Sequence, residues 1–381
     1  MEETEMKCRC CGEEMPKEPL LAYRDMPKSA QFFPDAGNVA EEKGVDLLLC
    51  QCPFCGLLQL AGEPVPYYRE VIRATRVSPE MHGFRVKQFR DFLHRYDLLG
   101  KRIVEIGCGG GEFLQMMQEA RATVYGIEYS AALAAQARSE GHTVHQLYLE
   151  AGAERIPEAP YDAFYCLSFL EHSPEPGAFL RRIAGNLTSG AHGLVEVPDV
   201  DMVLRENLYS EFIQDHLSYF TKDTFCRLLE QNGFEVLSCG TIWHGYVLSA
   251  EVRKRRIVDV SGFLAQQEKV KKSVAAFLTE MEEKGRKTAV WGAGHQALAD
   301  LAMLDMKERI VCVLDSADFK QNKFTPATHI PIAAPAELKK GEIGAVLVIA
   351  GSYSNEICRI LETEHPEIVR AVLQEDGVER A

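Results

Sequence analysis

The 381-residue chain contains no apolar run of transmembrane length, and its basic residues are outnumbered. Against 56 Asp and Glu stand 42 Lys and Arg, a net charge of −14 with an isoelectric point near 5.4. The first shortage argues against a membrane span. The second argues against a nucleic-acid partner, because phosphate binding needs clustered cations. The opening Met1-Glu2-Glu3-Thr4-Glu5 lacks the basic residues of a secretory signal, so the expected compartment is the cytoplasm. Twelve cysteines in that compartment read as thiols or metal ligands and not as disulfides. With 46% hydrophobic residues the chain is long enough for two or three domains with cores of their own.

What is present is more specific. Ile103-Val104-Glu105-Ile106 is a buried-strand run that stops at Gly107, and Gly107, Gly109 and Gly111 let backbone approach a ligand. About one crossover later, Val124-Tyr125-Gly126-Ile127 ends in Glu128, a carboxylate suited to a ribose diol. By itself such a turn reads equally as a tight connection in an ordinary α/β domain. Further α/β signals follow: a strand from Tyr161 to Leu167, then Leu170-Glu171-His172, a helix through Leu187, and a strand from Gly193 to Pro198. Glu171 and His172 fall just past a strand's carboxyl end, the ligand edge of an open α/β sheet. They read either as packing at the cofactor edge or as a cap for the helix that Pro174 and Pro176 initiate.

Six cysteines fall before residue 56, and Cys8-x-x-Cys11 and Cys52-x-x-Cys55 are each followed by glycine. Two such knuckles supply four thiolates, a closed tetrahedral set that suits structural zinc and leaves no position for catalysis. Cys10 and Cys50 are spare thiols that are able to exchange into the set.

Between these elements a helix is predicted from Pro79 to Tyr96, and another with Thr221 as N-cap that ends at Asn232-Gly233 before a strand from Phe234. Trp243-His244-Gly245-Tyr246 reads either as a pocket wall or as core packing. Val252 to Arg286 reads as a long amphipathic helix, with Arg253-Lys254-Arg255-Arg256 as its solvated start. A second α/β unit follows, with the turn Trp291-Gly292-Ala293-Gly294 and Asp315 at a strand end; a structural Rossmann-like lobe is the expected reading.

The spacing Glu105-x-Gly107-x-Gly109-x-Gly111 resembles motif I of the class I S-adenosylmethionine-dependent methyltransferases. In its order of parts the whole chain resembles the zinc-containing sugar C-methyltransferases, which act on nucleotide-linked keto-sugars. Cys52-Pro53-Phe54-Cys55-Gly56-Leu57 is similar to that family's second knuckle, Asp215-His216-Leu217-Ser218-Tyr219-Phe220 to its active-site segment, and the run from Lys320 to Ile332 to its C-terminal signature. Four positions depart from the pattern. Ile213-Gln214-Asp215-His216 stands for Tyr-His-Glu-His, Arg73 for a tyrosine, Cys108-Gly109-Gly110 for Ser-Asn-Asp, and Gly351-Ser352 for Trp-Asn.

The resemblance implies an α/β protein: a zinc-binding module over 1–70, a linker helix and Rossmann-like methyltransferase domain over 71–251, a helical connector over 252–286, and a Rossmann-like lobe over 287–381. It implies S-adenosylmethionine as cofactor, held by Glu105, Gly107, Gly109, Gly111, Glu128, Tyr129, Glu171 and His172, with zinc on Cys8, Cys11, Cys52 and Cys55. His216 is the implied base, with Asp215 beside it and Tyr219 or Arg73 stabilising enolate charge. The expected partner is a small molecule, a nucleotide sugar. The competing expectations are an O- or N-methyltransferase and a zinc-anchored binding protein without activity.

Overall fold

A computed structural model describes residues 6–28, 33–70, 77–150 and 155–381. The chain forms two compact units, Met1–Ile257 and Val258–Ala381.

In the first unit, β1 (Leu21–Met26), β2 (Val45–Gln51) and β3 (Leu58–Leu60) make a small antiparallel sheet. Helix α1 (Pro79–Arg95) starts at Ser78, whose hydroxyl accepts from the Met81 N–H, and buries Arg85, Phe89, Phe92 and Leu93 along one stripe. Then come β4 (Arg102–Ile106), α2 (Glu112–Glu119), β5 (Thr123–Glu128), α3 (Ala131–Ser139), β6 (Thr143–Gln146), β7 (Tyr161–Leu167), α4 (Pro176–Gly185), β8 (Leu187–Pro198) and α5 (Val200–Arg205). The unit closes with β9 (Ser218–Tyr219), α6 (Lys222–Gln231) and the hairpin β10 (Phe234–Ile242) and β11 (Val247–Lys254).

The large sheet has the order β10-β11-β8-β7-β4-β5-β6, with β4 to β8 parallel and β11 antiparallel to both neighbours. Period-two alternation fixes its faces. Val104 and Ile106 join the core on one side with Phe164 and Phe179; Ile103 joins the other with Phe89, Phe113 and Tyr165. The N-cap at Thr221 is as expected and forms a full capping box with Thr224, an arrangement that contributes about 1 kcal/mol.

The cysteine module does not stand apart from this body. Strand β9 pairs with β3, with Leu58 opposite Tyr219, and Leu60 N–H donates to Leu217 O at 3.1 Å. The small sheet therefore holds the backbone immediately after His216.

The second unit begins with α7 (Ser261–Glu283), which buries Val270, Val274, Phe277, Leu278 and Met281 in that unit's own core. The helix expected as a connector is thus part of this fold. The basic run does not start it, because β11 extends through Arg253 and Lys254, where Arg253 pairs with Glu235 across the hairpin. Strands β12 (Lys287–Trp291), β13 (Ile310–Leu314), β14 (Lys323–Phe324), β15 (Pro331–Ala333), β16 (Ile343–Val348), β17 (Val369–Gln374) and β18 (Gly377–Arg380) form a sheet of order β14-β15-β13-β12-β16-β17-β18. Its inner strands are parallel, with α8 (His295–Met303) and α9 (Ser354–Glu364) as crossovers. Asp315 accepts from the Ala293 N–H, the Ala317 N–H and Lys320, so its carboxylate is satisfied within the lobe.

Candidate active site

The glycine loop lies at the carboxyl ends of β4 and β5, as the ligand edge of a parallel sheet requires. Gly107 and Cys108 donate their N–H groups to Ile127 O, each at 3.0 Å, which pins the loop to β5. Glu128 is buried, and its carboxylate accepts from Gly109 N–H at 2.9 Å and from Ser130 N–H at 2.8 Å. Burial pushes its pKa up while these donors oppose the shift. A narrow cleft opens beside it, lined by Gly107, Glu128, Tyr129, Leu147, Tyr148 and Phe169 among others.

The three motif glycines have different reasons to be glycine. All three have positive φ, but only at Gly109 would a Cβ meet open space. At Gly107 it would lie 2.9 Å from the Phe169 ring, and at Gly111 it would lie 2.7 Å from His142. At Gly111, at the start of α2, packing against His142 is by itself a reason for glycine. Glu105 is corrected: alternation turns it to the opposite face of the sheet, where it is buried and accepts from Tyr165 O–H at 3.0 Å.

A feature the sequence reading missed closes the cleft. Phe169 and Phe179 stack with centroids 5.2 Å apart, and Tyr148 packs on both. The Arg69 guanidinium lies 5.1 Å over Tyr68, 5.4 Å over Tyr148 and 5.7 Å over Tyr129, and pairs with Glu150. Apolar walls, aromatic rings and one acid suit an adenosine with its ribose, so the residues fit S-adenosylmethionine.

Past β7 the chain makes a single 3₁₀ turn, Leu170–His172, and the loop 213–217 folds against it. Leu217 N–H donates to Glu171 O at 2.8 Å, and His172 Nδ1 lies 2.8 Å from Asp215 O. A carbonyl only accepts, so Nδ1 carries the proton and Nε2 keeps its lone pair. The His172 and His216 rings meet edge to face at 4.7 Å. Burial holds both imidazoles below the usual histidine range, His216 down to about 3, and pushes the Glu171 carboxyl up to about 8.

These contacts correct several expectations. Glu171 and His172 do not line the glycine-loop cleft, and they do not cap α4, whose N-cap is Glu175 with a proline in its first turn. They pack instead under His216. The Tyr219 hydroxyl accepts from Ile213 N–H at 2.9 Å and donates to Ile213 O at 3.1 Å, so it braces the loop and is not free to stabilise charge. Asp215 is buried and takes the Tyr67 O–H at 2.7 Å, which makes Tyr67 a second residue that sequence reasoning overlooked. Arg73 lies outside the described residues. Trp243, His244 and Gly245 form the β10–β11 turn, all at positive φ, with Trp243 5.5 Å from Phe84 and His244 3.5 Å from Glu80. His244 is 72% exposed, so it is not a core residue.

Cys8, Cys11, Cys52 and Cys55 come together with all four sulfurs within 4.8 Å of one another. The closest pairs are Cys8–Cys55 at 3.4 Å and Cys11–Cys52 at 3.5 Å, against the ~3.8 Å expected between sulfurs on tetrahedral zinc. Backbone N–H groups of Cys10 and Cys55 point at Cys8 and Cys52. The donor set fits zinc; Cys10 and Cys50 stand outside it.

The sheet order and the cleft position are those of the class I S-adenosylmethionine-dependent methyltransferase fold. Residues 81–239 match the sequence family described as a methyltransferase domain, and residues 249–370 the one described as the C-methyltransferase C-terminal domain. Over 385 residues the chain is 23% identical to the C-methyltransferase NovU of Streptomyces niveus, covering 92% of this chain and 91% of that one. It is 28% identical over 180 residues to the ubiquinone biosynthesis O-methyltransferase of Aeromonas salmonicida, covering 43% of this chain and 75% of that protein. A solved S-adenosylmethionine-dependent methyltransferase from Mesorhizobium loti aligns at 18% identity and a TM-score of 0.35, covering 43% of this chain and 96% of its own. Matches to methyltransferase sequences thus run from residue 81 to residue 370, through the cofactor cleft and into the second unit, and the chain is an S-adenosylmethionine-dependent methyltransferase.

Proposed function

We propose that this enzyme methylates a carbon atom of a nucleotide-diphosphate keto-sugar, with His216 as the base that removes a proton next to the carbonyl. The observation that carries the reading is the seat of His216. It sits on a braced loop with its ring against His172, and His172 ends the single turn that follows Phe169 of the cofactor cleft. The full-length likeness to a protein named as a C-methyltransferase supports carbon as the acceptor, and the C-terminal match agrees with it.

S-adenosylmethionine, which Glu128 and the Gly107–Gly109 loop would hold, would supply an electrophilic methyl group and leave as the thioether S-adenosylhomocysteine. The work of the chain is alignment and proton removal. His216 takes the proton from carbon, the C–H electron pair passes into the enolate, and the enolate carbon takes the methyl. Tyr219 and Tyr67 hold the loop through Ile213 and Asp215, which keeps the imidazole in place without touching the reacting atoms. Arg73 is proposed, on its charge, as the enolate's stabiliser. Zinc on the four thiolates is proposed as structural, and through the β3–β9 pairing it supports the same loop.

The substrate class is tested by calorimetry with S-adenosylhomocysteine at saturation. Saturable binding of a nucleoside diphosphate supports the reading. Cofactor binding with no response to any nucleotide points to a different acceptor, as the partial match to an O-methyltransferase allows.

A further inference from the structure

Glu171 is 2% exposed, and its Oε2 has no hydrogen-bond partner among the described residues. An acidic group stranded in that way costs free energy unless something enters to meet it. Its Oε1 lies 3.8 Å from His172 Nε2. One donor atom each from Glu171, His172 and His216 all fall within 4.8 Å of one another. The His172 ring is also oriented as metal-binding imidazoles are: Nδ1 is committed to the Asp215 carbonyl, which fixes the ring and leaves the Nε2 lone pair facing Glu171.

We infer that Glu171, His172 and His216 form a binding site for a divalent transition-metal ion, separate from the four-cysteine cluster. Two imidazoles and one carboxylate select ions of the zinc, nickel and cobalt type over magnesium and calcium, which prefer all-oxygen shells. Donor atoms around such an ion stand ~3.3 Å apart, so closing the site takes side-chain shifts of about 1 Å. The bound ion occupies the lone pair that His216 needs as a base, so metal binding and proton abstraction exclude each other. The site itself does not depend on which acceptor is methylated.

The test is a cobalt titration of the full-length protein after mild chelation. It is followed by visible absorption and calorimetry, with magnesium as a control. Thiolate-bound cobalt shows sulfur-to-metal charge transfer, and a nitrogen–oxygen site does not, so the two sites are read separately. The expected result is one cobalt equivalent without charge transfer and no response to magnesium. Glu171→Gln and His172→Asn should each weaken that equivalent at least tenfold, with far-ultraviolet circular dichroism unchanged. Absence of any equivalent beyond the thiolate-bound ion overturns the inference. So does a second equivalent that both folded variants bind as tightly as the parent chain. If either variant fails to fold, the other carries the comparison.

Discussion

His172 Nδ1 and the backbone carbonyl of Asp215 lie 2.8 Å apart, and this one bond joins the turn after β7 to the loop that presents His216. It ties the sheet edge that carries the cofactor cleft to the residue proposed as base. A backbone acceptor recognises no particular side chain, so the tie does not depend on the aspartate side chain at 215.

Replacing His172 by Phe should remove the tie while keeping a ring of similar shape. One buried hydrogen bond is worth about 1–2 kcal/mol, so the melting temperature should fall by a few degrees and turnover should fall much further. A variant with full turnover would show that the loop does not need this anchor.

Gly109 and Gly111 should separate cleanly. Gly109→Val places a side chain where the structure has open space at the cofactor loop, and S-adenosylhomocysteine affinity should fall at least tenfold. Gly111→Ala meets His142 at 2.7 Å and keeps a positive φ, so it should destabilise by about 1–3 kcal/mol with cofactor affinity nearly intact. Calorimetry alongside thermal melting checks both, and the reverse pattern would exchange their roles.

Glu128→Gln should weaken S-adenosylhomocysteine binding by about 10- to 100-fold, the range for losing a charge-assisted hydrogen bond. Glu105→Gln should leave it within about threefold, because that carboxylate faces Tyr165 on the other side of the sheet. Equal losses from the two variants would contradict this assignment.

Arg85 and Glu196 form a buried ion pair between α1 and β8, with side chains 4% and 0% exposed. Gln88 and Ser249 also donate to the Glu196 carboxylate. Arg85→Met should cost about 3–5 kcal/mol, since it leaves a buried charge without its cation. Adding Glu196→Gln should recover part of that loss in chemical denaturation.

Cys52→Ser should reduce bound zinc well below one per chain and lower turnover, because β3 holds β9 directly after His216. Cofactor affinity should change little. Full zinc content in this variant would remove Cys52 from the ligand set.

Much of this fold could be read before any coordinates, and the reasons are physical. The run Ile103–Gly107 with Glu128 one crossover later is local, and so are two Cys-x-x-Cys-Gly knuckles and the capped helix after Thr221. Which face a residue takes follows the pleat and the packing, and motif spacing does not carry that information. Glu105 alternates with Val104 and Ile106, so it had to face away from the cleft side, and Gly111 needed a view of His142 across α2 and α3. Tyr67 on Asp215 and Arg69 over three tyrosines join residues far apart in sequence, and no spacing announces such pairs. The basic run at 253–256 starts no helix because strand β11 continues through Lys254, with Arg253 paired to Glu235 across the hairpin.

Proton removal from carbon by His216 is open to one experiment that reads it without methyl transfer. The enzyme is incubated in deuterium oxide with S-adenosylhomocysteine and a panel of nucleotide-diphosphate keto-sugars, and the hydrogen next to each carbonyl is followed by NMR. Deuterium should enter one substrate with the parent enzyme and not with His216→Ala, while both bind S-adenosylhomocysteine alike. Exchange that persists in His216→Ala, or no exchange with a sugar the enzyme goes on to methylate, would contradict it.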